Sequence, residues 1–196
     1  MAAQETTGGF TSAVLLEEEM RLILPTLTVA DALEIGEIAK FFGQDRSLPI
    51  AVEVRVGDWI VYHASLPGST PENDWWIGRK ARVVKLKKHS SMFERVLAEE
   101  QGIDWHKENN LLDETHAIHG GGIPLITKSD GTPIMSIEIT EQQEFGTNGQ
   151  QRVARFWSAM LNNVASAYIL PVESYQIEKG SKSDIEVFEE PECSSN

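Results

Sequence analysis

A chain of 196 residues with 41% apolar residues has material for one core and little more, which excludes an array of large domains. Its formal net charge of −13 excludes the basic surface that nonspecific nucleic-acid binding needs and disfavours docking to an anionic membrane. No apolar run is long enough to span a bilayer, and the start Met1-Ala-Ala-Gln-Glu-Thr-Thr-Gly-Gly carries neither region of a signal peptide.

Residues 1–10 read as a disordered leader. Val14, Leu15 and Leu16 beside Glu17-Glu18-Glu19 predict a short amphipathic helix over Ser12 to Arg21, and Leu22 to Leu24 a brief strand ended by Pro25. Thr28 with Asp31 three residues on has the form of a capping box, and Ala32, Leu33, Ile35, Ile38, Ala39 and Phe42 carry a helix to about Phe42. Ile50 to Val56, then Gly57-Asp58, then Trp59 to Leu66 predict a hairpin. The Pro67-Gly68-Ser69-Thr70-Pro71-Glu72 segment interrupts it, and Asn73 is expected to cap a helix from Asp74 to about Lys88. The Ser91 hydroxyl with Glu94 predicts a second capping box and a second helix. From Gly102 to Glu114 no period is readable. His116-Ala-Ile-His-Gly-Gly-Gly then leads into a strand at Ile123, and Asp130-Gly131 signals a turn after which Ile134 to Ile139 pairs back. Val153, Phe156, Trp157, Met160, Leu161, Val164 and Tyr168 predict a C-terminal core helix.

Beyond Pro171 seven carboxylates stand against two lysines with few apolar side chains, so residues 171–196 read as a disordered acidic tail. The only cysteine, Cys193, lies there, so neither a disulfide framework nor a cysteine metal site is expected and a reducing cytoplasm is. One domain over 11–170 remains. Helix, hairpin, helix pair, hairpin, helix is an α+β order with a mainly antiparallel central sheet.

Three glycines, Gly120, Gly121 and Gly122, follow His119. Their backbone could cradle an anion, or could allow a tight approach where a strand begins against another backbone. A lipase-type oxyanion loop is rejected, because the chain has no Gly-x-Ser-x-Gly elbow. His116 and His119 are spaced for one metal only if the segment is helical. Zinc needs three or four ligands, and Asp113 and Glu114 complete no recognised spacing, so no metal is assigned. His63, on the hairpin, could meet His116 or His119 in space or be an ordinary polar neighbour.

Arg79, Lys80, Arg82, Lys85, Lys87 and Lys88 make the following helix basic. It could bind an anion, but the acidity of the chain favours a solvated face or a salt-bridge strip between subunits. Trp76 and Val83 can share its core face. Trp75 falls in line with Arg79 and Arg82, a combination typical of interface centres, which predicts self-association.

The stretches Leu48-Pro-Ile-Ala-Val-Glu-Val, His63-Ala-Ser-Leu-Pro-Gly-Ser-Thr-Pro-Glu-Asn-Asp-Trp-Trp-Ile-Gly-Arg-Lys and His119-Gly-Gly-Gly-Ile-Pro-Leu resemble the haem-degrading (HbpS/GlcG-like) domain family, in the subgroup found in bacteria and fungi. The resemblance spans about Leu27 to Tyr168. It implies a profilin-like sandwich, a central antiparallel sheet with helices on both faces, assembled into ring-like homo-oligomers with haem as the family's ligand. Fungal members of the subgroup are linked to tail-anchored protein targeting through co-chaperones with tetratricopeptide repeats, which clamp acidic C-terminal tails. This chain departs from its relatives at Thr140 to Gly149, where a Ser-Gly-Leu-Pro segment is usual, and its tail lacks a Glu-Glu-Val-Asp ending.

Two functional readings result. The first is a non-enzymatic homo-oligomeric adaptor whose acidic tails engage a tetratricopeptide-repeat co-chaperone. The alternative is a haem or small-molecule binding protein or enzyme with a pocket at His63, His116, His119 and Gly120 to Gly122.

Overall fold

In a computed structural model, which describes residues 9–21, 23–24, 27–127 and 133–141, the hairpin at the Gly57-Asp58 turn forms as expected. β2 (Ile50–Val56) pairs antiparallel with β3 (Trp59–Ser65). β2 also pairs antiparallel with β5 (Pro133–Glu141), and β5 with β4 (Gly122–Thr127). The short β1 (Ile23–Leu24) joins β4 in parallel, giving the sheet order β1-β4-β5-β2-β3.

β2 is buried at every position from Ile50 to Val54, so neither face of the sheet meets water there. On one face lies α2 (Val29–Asp45), whose Ala32, Ile35, Ala39 and Phe42 join Ile50, Val52, Val54, Ile123 and Leu125 in the main core. Gly36 lets this helix approach β3: a Cβ there would come within 2.3 Å of the Tyr62 ring. α3 (Pro71–Lys87) packs over β5, β4 and β2. The result is the α+β sandwich with helices on both faces that the sequence leads one to expect. The Thr28–Asp31 capping box forms, with Thr28 N donating to Asp31 Oδ2 at 2.6 Å. The helix it starts runs past Phe42 to Asp45.

α1 (Ser12–Arg21) docks on α4 (Ser91–Gln101), where Leu15 meets Met92, Phe93 and Val96. The buried Glu19 carboxylate fastens the pair, accepting from Ser90 N and meeting His89 Nδ1, both at 2.7 Å. α5 (Trp105–Asn109) occupies the stretch whose period was unreadable.

Both expected caps after the hairpin shift by one or more residues. α3 begins at Pro71, whose fixed φ and missing N–H suit a first helical position, and its cap is Thr70. Asn73 is the third helical residue, buried, and accepts from Thr70 N at 2.8 Å. In α4 the cap is Ser90, which accepts from Phe93 N at 3.1 Å. Ser91 turns inward instead, and Glu94 accepts from Trp105 Nε1 at 2.7 Å. The leader up to residue 8, the Asp130-Gly131 turn, the helix expected over 153–168 and the tail at 171–196 lie outside the described residues.

Candidate functional site

The inward turn of Ser91 matters for what lies above it. Its hydroxyl donates to the His119 carbonyl and accepts from Gly122 N at 3.0 Å, stapling the glycine run to the start of α4. A Cβ at Gly122 would lie 3.0 Å from Val84 Cγ2, 3.1 Å from Ser91 Oγ and 3.2 Å from Lys80 Cβ. At this position the tight approach to a strand is therefore what the structure shows. Gly122 N is engaged by Ser91 and does not point at an anion. Gly121 takes φ +117°, a conformation open to glycine, while a Cβ at Gly120 would make only ordinary contact with Met92 Sδ at 3.6 Å.

His119 sits at the head of this run. Its imidazole meets the Trp76 indole edge-on, centroids 4.8 Å apart at 74°. Its Nδ1 is buried and has no hydrogen-bond partner among the described residues. Burial, reinforced by the Lys80, Arg95 and Arg79 charges and opposed by Asp113, pushes the imidazole down to about 4. At neutral pH His119 is a neutral, half-buried ring whose Nδ1 is uncommitted among the described residues.

The segment before it is held by α3. Arg79 is only 1% exposed, with its guanidinium 4.2 Å from the Trp75 ring centroid and 4.1 Å from that of Trp76. Its Nε donates to the Asp113 carbonyl at 2.8 Å, and Nη2 to that oxygen and, at 2.6 Å, to Asp113 Oδ1. Arg82 Nε donates to the Thr115 carbonyl at 2.6 Å, and Ala117 N to the Arg79 carbonyl at 3.3 Å. From α5, His106 Nε2 meets the His116 carbonyl at 2.9 Å.

The three histidines that the sequence offered as one pocket each have different partners. His63 Nε2 pairs with Asp74 Oδ1 at 2.9 Å at the start of α3. His116 is not helical and its Nδ1 meets Thr115 Oγ1 at 2.9 Å; burial, with Arg82 and His106 nearby, lowers its pKa. Only His119 faces Trp76. Among the described residues no group of three His, Cys, Asp or Glu side chains could hold a metal ion.

The basic helix also differs from expectation. Arg79 and Lys80 are buried, not solvated, because α3 packs against the sheet on one side and the 113–118 segment on the other. Of the three residues offered as an interface, Arg79 is therefore internal to the protomer. Arg82 is exposed and bonded to Thr115, and Trp75 remains 49% exposed. Asp113 and the inward hydroxyl of Ser91 were not legible as site residues. The adjacent serines Ser90-Ser91, either able to cap, were the one signal that one of them was free for other work.

Among the described residues no helix is long and apolar enough to cross a membrane. A family model described as "Haem degrading protein HbpS-like" matches residues 27–140. A UPF0303 protein of Streptomyces avermitilis is 37% identical over 114 residues, 58% of this chain and 70% of the relative. The crystal structure of the Ybr137w protein superposes with a TM-score of 0.68 at 21% identity, covering 81% of this chain and 90% of that one. A structure titled as a PduOC:heme complex superposes with a TM-score of 0.53 at 17% identity, over 70% of this chain and 96% of that one. The match across the sheet, α2 to α4 and the glycine run places the chain in the haem degrading protein HbpS-like family.

Proposed function

We propose that this chain is a homo-oligomeric binding protein of its family that takes a planar ring ligand, haem foremost, at His119. The observation that carries the reading is the Nδ1 of a neutral imidazole, buried and without a hydrogen-bond partner among the described residues. A buried nitrogen without a partner costs stability and calls for an explanation. Haem fits this donor set better than a bare metal ion does, since haem iron needs one or two protein ligands and zinc three or four. His119 would hold the haem through its iron, with Trp76 beside it. Bound haem would supply an iron centre with open redox and ligand chemistry. Ser91 and the α3 contacts hold the donor in place. The haem complex of a similar fold supports the reading. Titrating hemin into the protein should raise a Soret band that His119→Ala weakens or shifts; a spectrum identical in wild type and variant would sink the assignment.

The sequence also favours a second reading, in which residues 171–196 form an acidic tail on a folded domain over 11–170, after a short leader at 1–10. Seven carboxylates against two lysines are the chemistry that a tetratricopeptide-repeat clamp accepts. In this reading the chain is a cytoplasmic adaptor in tail-anchored protein targeting, and several tails on one ring gain avidity. The half-exposed Trp75, with Trp59 exposed on the edge strand β3, suits contact between copies. Removing residues after Pro171 should abolish capture of such a co-chaperone while leaving the oligomer mass, read by light scattering, reduced only by the tails. A monomer in that measurement would overturn the ring.

A further inference from the structure

We propose that Arg79 is the positioning residue of the His119 site, holding the imidazole through Trp76 and through the 113–117 segment without touching a ligand. The inference rests on His119 being the ligand residue and adds the element that aims it.

Arg79 is enclosed and engages two aromatic rings and two oxygens at once. The Trp75 and Trp76 rings both lie within 4.2 Å of its centre, and the donors along its edge reach the carbonyl and the carboxylate of one residue, Asp113. The carboxylate is 58% exposed, so the surface end of the pair can follow the guanidinium, while the guanidinium itself is enclosed. A second link comes from the same residue's main chain, whose carbonyl accepts from Ala117 N. Arg79 thus grips both ends of the 113–117 segment, and His119 lies two residues beyond. The third link is Trp76, whose indole contacts both the guanidinium and the His119 imidazole. A lysine could supply the charge but neither the flat faces nor the fork.

A structural arginine would affect only stability, so the test reads His119 itself. The cross-relaxation contact between the His119 and Trp76 rings is followed by NMR at neutral pH in unliganded wild type, Arg79→Lys and Arg79→Met, together with the near-ultraviolet circular dichroism of the tryptophans. Leu15→Ala, in the separate α1–α4 cluster, serves as a control that lowers stability elsewhere. The expected result is a Trp76–His119 contact at least halved in both Arg79 variants with an altered tryptophan spectrum, and neither change in Leu15→Ala. Arg79→Lys keeps the positive charge, so a change there reports lost positioning and not lost charge. An unchanged contact and spectrum in a folded Arg79→Lys protein overturns the proposal. Should both Arg79 variants fail to fold, the wild-type Arg79 Nε–H still decides: it must exchange slowly and show a cross-relaxation contact to the Trp76 ring, and fast exchange without that contact overturns the proposal as well. Hemin titration of the same proteins separates the two ideas. Absence of a Soret change in wild type would remove the haem reading and leave the test of Arg79 standing.

Discussion

The Trp76 indole meets the His119 imidazole edge-on at 4.8 Å and is also packed on the Arg79 guanidinium at 4.1 Å. One aromatic side chain thereby links a buried cation to a half-buried neutral base. Burial of the imidazole is the main cause of its neutrality, and nearby cations add to it.

That neutrality has a pH signature. His119 has a folded pKa of about 4 against an ordinary value of 6.5. Between those values the unfolded chain binds more protons than the folded one, so stability is fully present above pH 6.5 and is lost as pH falls toward 4. From pH 6.5 to 5, above the range of the carboxylates held low by hydrogen bonds, the loss should be about 2 kcal/mol. Urea denaturation of wild type and His119→Gln at both pH values checks this. An equal pH slope in the two proteins would contradict the buried, neutral assignment.

The two neighbouring serines should separate cleanly. Ser90→Ala removes a helix cap and should cost about 1 kcal/mol, with little effect on hemin spectra. Ser91→Ala leaves the buried Gly122 N–H without its partner and should cost about 1–3 kcal/mol while also loosening the His119 carbonyl. Denaturation curves and hemin titrations of both variants, side by side, distinguish a cap from a staple.

Of Gly120 and Gly122, only Gly122 is sterically closed. Gly122→Ala brings a methyl to 3.0 Å from Val84 Cγ2 and should cost about 1–3 kcal/mol. Gly120→Ala meets only Met92 Sδ at 3.6 Å and should fall within about 0.5 kcal/mol of wild type. Equal effects at the two positions would contradict a close approach of β4 to α3.

At the other end of the domain, Glu19→Ala should free α1. It strips the buried Ser90 N–H and His89 of their shared carboxylate and should cost about 1–3 kcal/mol. Hydrogen exchange should show the change confined to α1 and the start of α4, with β2 protection unaltered.

Local chemistry explains which parts of the chain could be read in advance. The Thr28–Asp31 box, the Gly57-Asp58 turn and the apolar rhythm of α2 each involve residues within a few positions of one another, and each forms as its pattern demands. The caps of α3 and α4 shifted because two candidates lay within a helical turn in each case, and packing chose between them. Thr70 and Pro71 could begin α3 earlier than Asn73, and an inward Ser91 had a partner that an outward one would lack.

The family motifs and the glycine run after His119 were legible for the same reason, being contiguous in the chain. The site's working relationships were not. Arg79 and Asp113 stand 34 positions apart, and Ser91 and Gly122 stand 31 apart, so no local period joins them. From sequence Arg79 belonged on a charged outer face in line with Trp75; folding laid the 113–118 segment over it and supplied two oxygens. The sequence determined the elements, their order and the family, because those follow from neighbours along the chain. Tertiary structure alone decided which histidine has a buried nitrogen without a partner among the described residues, because burial is a property of what packs against a residue and not of what precedes it.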